Sequence, residues 1–134
     1  MNTTKGKDIN AILAEWKIEE YIAYLYLSIA NADMSVSQIE LDMIHYRLEL
    51  LLKSFYPQVN VDVRFLLENL RRNSEMKTDY ERKLIIDKLN NKYNLANEVK
   101  AQIVSDLLDL VHADDKLVYS EYTLMHYIQA SFVV

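Results

Sequence analysis

The sequence predicts an all-α protein, a single-domain bundle of about six to seven helices that carries an internal pseudo-repeat. Three observations lead there. Only one Gly (Gly6) and one Pro (Pro57) occur in 134 residues, whereas strand-rich folds spend both freely on tight turns. Apolar residues recur at helical spacing in six segments, and no segment alternates convincingly at period two. The chain also resembles itself at an offset of 81 residues.

The helices follow in order. Ile18, Ile22, Leu25 and Ile29 form the stripe of a first segment from about Asp8 to Asn31. Leu41, Ile44, Leu48, Leu51, Leu52 and Phe55 give the cleanest amphipathic stripe, which ends before Pro57 because proline cannot continue a helix. Val63, Leu66, Leu67 and Leu70 mark a shorter helix with Asn60 as its expected N-cap and Asn73 near its end. Thr78-Asp79-Tyr80-Glu81 reads as a capping box opening a helix with Leu84, Ile85 and Leu89, which stops near Asn90-Asn91. Val99, Ile103, Leu107, Leu110 and Val111 form a fifth stripe opening near Asn94 or Asn97, and Met125, Ile128 and Phe132 a sixth.

The offset of 81 places Leu27 on Leu108, Ala32 on Ala113, Asp33 on Asp114, Glu40 on Glu121 and His45-Tyr46 on His126-Tyr127. Helical periodicity alone does not repeat a His-Tyr pair. The expected organisation is one domain over residues 1–134, with repeat units near 18–55 and 99–134 flanking central helices near 60–93. A chain this long buries roughly two-thirds of its unfolded surface in one core.

Composition narrows the function classes. The absence of Cys removes disulfides, thiolate metal sites and thiol catalysis, and suits a reducing cytoplasm. A net charge of −5 argues against nucleic-acid binding, which needs a clustered basic face. The longest uncharged stretches, Tyr21–Ala32 and Tyr122–Val134, fall short of the roughly 20 residues a membrane span requires. No signal peptide is legible, so a soluble cytoplasmic protein is expected. A single Gly cannot build a phosphate loop, and no strand-turn-helix elbow presents a nucleophile, so no enzyme is expected.

Each repeat unit contains an acidic turn between two helices. The first runs from Ala32-Asp33 to Glu40 and the second from Ala113-Asp114-Asp115 to Glu121. The Asp-to-Glu spacing matches the second half of a calcium-binding loop. The first half fails: Ile29 and Leu110 stand where the opening Asp belongs, and Met34 and Asp115 replace the turn Gly. In the first turn Ser37 and Glu40 form a Ser-x-x-Glu capping box, with Asp33 available to cap turn N–H groups. In the second, Val118 interrupts the box, while Asp114, Asp115 and Glu121 bring three carboxylates together beside His112. A weak Ca²⁺ or Mg²⁺ site and a solvated acidic turn are both open there; oxygen ligands favour these hard cations over Zn²⁺.

The repeated Ala-Asp-x-x-apolar…Glu pattern, in Ile29-Ala30-Asn31-Ala32-Asp33 through Glu40 and Leu110-Val111-His112-Ala113-Asp114 through Glu121, resembles the TerB-like (tellurite-resistance TerB) family. Both copies lack the Gly of the family's usual Ala-Asp-Gly. The resemblance implies a non-enzymatic helical bundle with an acidic, divalent-cation-binding surface, acting in stress or tellurite resistance and in protein assemblies. On matching positions it carries over Asp33, Glu40, Asp114 and Glu121. Tellurite resistance itself does not transfer, since related domains occur in other settings.

Histidines and tyrosines complete the candidates. Glu40 and His45, like Glu121 and His126, are five apart and diverge by about 140° around a helix, so they make no zinc-protease pair. His45 shares a face with Asp42 and Glu49, which suggests an exposed ion pair, and His126 stands four residues after Tyr122. Repetition of His-Tyr reads as equivalent packing. Tyr21, Tyr24 and Tyr26 crowd the first helix and read as a wet core rim or a partner surface. A homodimer through the first or last helix would fit the apolar end Ala130–Val134.

Overall fold

The structure, a computed structural model, describes residues 15–30, 37–75, 79–112 and 119–132, the side chains at 72–75, 79 and 119–121 excepted. Among these residues the protein is all-helical, with six helices and no strand: α1 Ile18–Ala30, α2 Gln38–Phe55, α3 Val63–Glu75, α4 Asp79–Tyr93, α5 Asn97–Val111 and α6 Tyr119–Phe132. No helix among them is long and apolar enough to cross a membrane.

Local chemistry explains most helix ends, with corrections to the sequence reading. The first segment is interrupted before Ile18, and its residues 8–14 lie outside the described residues. Trp16 and Lys17 are non-helical, and the Lys17 N–H donates to Glu20 Oε1 at 2.7 Å, tying down the start of α1. The α3 N-terminus is capped by Asp62 rather than Asn60: its Oδ1 accepts the Phe65 N–H at 3.3 Å. Helix α4 runs past Asn90-Asn91 to Tyr93 and stops at Asn94, whose φ of 45° is the left-handed region that asparagine tolerates better than most residues. The Asn94 N–H returns to the Asn90 carbonyl at 3.0 Å. Helix α5 begins at Asn97 after an Ala96 cap that has no side chain to donate or accept. Thr78, the other half of the expected Thr78–Glu81 box, lies outside the described residues.

Helix α1 is the hub. It packs against each of α2, α3, α4, α5 and α6, and every residue from Tyr21 to Ala30 is buried. A helix apolar on all sides belongs in the centre of a bundle. The segments between the repeat units are therefore not central in space: α3 covers α1 and α2, and α4 covers α1 and α6. Helix α5 closes the arrangement against α1, α2 and α6. The core is one continuous cluster that runs from Trp16 through Ile44, Leu70, Ile86 and Ile103 to Phe132.

Candidate functional site

The first acidic turn ends in a complete capping box. Ser37 Oγ accepts the Glu40 N–H at 3.1 Å, and Glu40 Oε1 accepts the Ser37 N–H at 2.9 Å. Glu40 is 3% exposed, so this carboxylate serves the N-terminus of α2. Asp33, Asp114 and Asp115 lie outside the described residues, as does the Glu121 side chain, although Glu121 itself falls in the first turn of α6. Among the described residues no cluster of three His, Asp or Glu side chains is arranged to hold a metal.

The edge of the second turn is bridged by His112, which caps α5. Its Nδ1 lies 3.0 Å from the Leu108 carbonyl and its Nε2 lies 2.7 Å from the Tyr122 hydroxyl. A carbonyl only accepts, so Nδ1 carries the proton and, in the neutral ring, Nε2 accepts from Tyr122. Tyr122 therefore pairs with His112, across the turn, rather than with its helical neighbour His126.

A buried polar centre, absent from the sequence reading, joins three helices. Asp106 on α5 is 1% exposed. It accepts Tyr26 Oη at 2.5 Å, Arg47 Nη1 at 2.8 Å and Gln102 Nε2 at 3.0 Å. Arg47 also pairs through Nη2 with Asp109 at 2.8 Å. Burial, reinforced by the hydrogen bond to Asp106, pushes the Tyr26 hydroxyl far above its ordinary pKa. The same carboxylate holds the Arg47 guanidinium more firmly protonated than usual. A signal existed for this centre: Val99, Ile103, Asp106 and Leu110 follow one stripe at spacings of four, three and four, and a carboxylate on a buried stripe needs partners. Which partners it would find was not readable.

The tyrosines expected at a wet rim are core residues. Tyr21, Tyr24 and Tyr26 are each fully buried. Tyr21 donates to Asn90 Oδ1 at 3.4 Å, and burial raises its pKa strongly. Burial pushes Tyr24 up to about 12, partly offset by the nearby Arg82 guanidinium. With α1 enclosed, it has no face to offer a second copy. Among the described side chains of α6 the exposed positions are Thr123, His126, Gln129 and Ala130, which form no apolar face; Val133 and Val134 of the expected apolar end lie outside the described residues.

Among the described residues Phe65, Tyr80 and Leu108 are exposed singly on α3, α4 and α5, whereas α2 carries several exposed apolar residues in a line. Ile39 is 57% exposed, Tyr46 62% and Leu50 46%, with Met43 half-buried between them. Spacings of four, three and four put these four residues on one line along the helix, away from Ile44, Leu48 and Leu51 in the core. Asp42 and Glu49 are exposed along one edge of the line. Arg47, carrying Asp109, stands along the other. Beside it a cleft of about 420 Å³ separates α2 from α5, with Tyr46, Leu50 and Phe55 on one wall and Gln102 and Asp106 opposite.

On the far side of α2, His45 faces α3 across a second cleft of about 570 Å³, together with Arg64, Glu68 and Arg71. The expected ion pair of His45 with Asp42 or Glu49 is not formed among the described residues; Asp42 accepts Gln38 Nε2 at 2.9 Å. Nor are the two His-Tyr pairs equivalent. Tyr127 is half-buried and donates to Asp87 on α4, with Lys83 Nζ 5.2 Å from its ring, whereas Tyr46 stands in the open.

No protein-family model, curated protein or solved structure matches this chain.

Proposed function

We propose that this chain is a non-enzymatic, TerB-like helical interaction module that binds a partner protein on the outer face of α2. The observation that carries this reading is the unbroken apolar line Ile39, Met43, Tyr46 and Leu50 on a helix whose opposite face already supplies the core. Leaving three large apolar side chains in water along one helix costs solubility and contributes nothing to the chain's own core. The polar chemistry of the molecule points the same way. The buried Asp106 has its donors within the chain, so its role is to lock α1, α2 and α5 together beneath the exposed line.

The resemblance to TerB-like proteins supports a scaffold role through the paired Ala-Asp…Glu turns; a part in stress response rests on that resemblance, and tellurite resistance is not included. A weak Ca²⁺ or Mg²⁺ site at Asp114, Asp115 and Glu121 is a secondary element, supported by sequence alone. In the first turn the capping box leaves Glu40 committed to the helix.

The test is co-purification from the native cell of the wild-type chain and of a Tyr46→Asp/Leu50→Asp variant. We expect a defined complex with the wild type and only free chain with the variant. Equal recovery of the complex from both would overturn the reading. For the cation element, backbone NMR shifts confined to residues 113–121 at millimolar Ca²⁺ or Mg²⁺ are expected, and their absence removes it.

A further inference from the structure

Among the described residues, three buried side-chain polar atoms have no hydrogen-bond partner: Tyr24 Oη, Ser28 Oγ and Arg82 Nε. They are not scattered. Tyr24 and Ser28 stand one turn apart on α1, and α4, which carries Arg82, packs against that helix. Burial pushes the Tyr24 hydroxyl up to about 12, and Arg82 and Ser28 are both near enough to pull it back down. The three groups are therefore neighbours that do not bond one another directly.

We infer that Tyr24 Oη, Ser28 Oγ and Arg82 Nε together hold one buried water molecule at the contact between α1 and α4. Arg82 Nε–H and the Tyr24 hydroxyl donate to its oxygen, and the water donates to Ser28 Oγ. That gives it three bonds, the typical number for a water inside a protein. Polar groups that are close but outside bonding geometry are where a bridging water fits. Without such a partner each atom carries the full cost of leaving solvent, which few buried groups in a folded protein bear.

Each of the three groups shows why the protein itself does not complete the bonding. Two of the three tyrosines buried on α1, Tyr21 and Tyr26, reach acceptors on other helices, Asn90 and Asp106. Tyr24 reaches none; its ring packs edge-on against Trp16, with centroids 5.1 Å apart. Ser28 is fully buried in mid-helix yet makes no bond to the carbonyl one turn back, the usual resort of a serine there. Arg82 makes other interactions, and only its Nε–H needs an acceptor.

A neutral occupant suits the charges around the site. The Arg82 guanidinium and the Glu81 carboxylate both act on Tyr24, in opposite directions, so an anion gains little there. A cation is repelled by Arg82 and cannot accept its N–H. Water accepts from the guanidinium and donates to a hydroxyl at the same time.

A crystal structure of the full chain at atomic resolution is expected to show a water within about 3.2 Å of all three atoms. Crystals grown in bromide should show no anomalous peak there. In solution, water magnetic relaxation dispersion should count one long-lived water fewer in Ser28→Val, whose methyl groups fill the site, than in the wild type. Tyr24→Phe keeps the packing and should shorten the residence time of the same water. Direct bonding among Tyr24, Ser28 and Arg82 in the crystal, or no density between them, overturns the inference. A bromide peak also overturns it, assigning the site to an anion, as does an equal water count in the wild type and Ser28→Val. If Ser28→Val does not fold, the wild-type crystal structure decides alone.

Discussion

The two repeat units share a register and differ in what each does with it. Helix α1 aligns with α5 and α2 with α6, and the breaks between the helices fall at the same place in both copies. Ile22 and Ile103, equivalent by the 81-residue offset, are both fully buried. Yet α1 is enclosed on every side, while α5 keeps Leu108 41% exposed where α1 buries Leu27. Tyr46 on α2 is free, whereas its equivalent Tyr127 on α6 is bound to Asp87. Even the joints differ: Ser37 and Glu40 close the first by a capping box, and His112 bridges to Tyr122 across the second. A duplicated backbone plan has thus been used asymmetrically, with one helix sunk as the hub and an apolar line left exposed on its neighbour α2.

The largest expected effect tests the buried centre, whose carboxylate occurs in only one copy. Asp106 stands where the first unit has Leu25, and Asp106→Ala strands the buried Tyr26 hydroxyl and leaves Arg47 with Asp109 alone. A loss of about 3–5 kcal/mol in denaturant unfolding is expected; a loss below 1 kcal/mol would show that the network is dispensable.

Next, the same substitution at equivalent positions should separate the copies. Leu27→Ala is expected to cost roughly 3 kcal/mol because it opens a cavity in the hub. Leu108→Ala is expected to stay within about 0.5 kcal/mol because the side chain is already partly in water. Similar melting temperatures for the two variants would break the asymmetry.

The first joint should be sensitive to its cap. Ser37→Ala removes the acceptor for the Glu40 N–H and should cost about 1 kcal/mol, lowering the melting temperature by a few degrees. An unchanged melt would assign the ordering of this joint to packing.

The smallest effect near neutrality is on pH dependence. Burial, aided by the bond to Asp87, pushes Tyr127 up to about 12, and burial pushes Tyr24 to the same region. A folded-state pKa above the unfolded value means that both contributions are complete below about pH 10 and are lost as pH rises towards 12. Stability should therefore be insensitive to these groups near neutral pH and fall steeply in that alkaline window. Tyr127→Phe should make the fall shallower. A tyrosinate absorbance titration complete by pH 10.5, without unfolding, would contradict this.

Much of the fold was legible from local chemistry. Pro57 and the α2 stripe bounded that helix, and Ser37 with Glu40 announced its cap, because a cap involves only residues three apart. The uncharged run beginning at Tyr21 suits burial on all sides, but its three hydroxyls read from sequence as a wet rim or a partner surface. The hydroxyls of Tyr26 and Tyr21 tolerate burial because Asp106 and Asn90, 80 and 69 residues away, accept their hydrogen bonds. The N-cap of α3 was misread because both Asn60 and Asp62 are good caps, and only the position of the first turn chooses between them.

By itself, then, the sequence determined an all-helical chain, its helix order, the duplicated register and the capped first joint, all of which depend on contacts within a turn or two. The tertiary structure alone decided which of two equivalent helices became the hub, which carboxylate was buried with Arg47, and which apolar face remained outside. These outcomes depend on which helices meet. Two amphipathic helices of similar pattern compete for the same central place, and the competition is settled by the sum of contacts across the whole bundle rather than by spacing within either one.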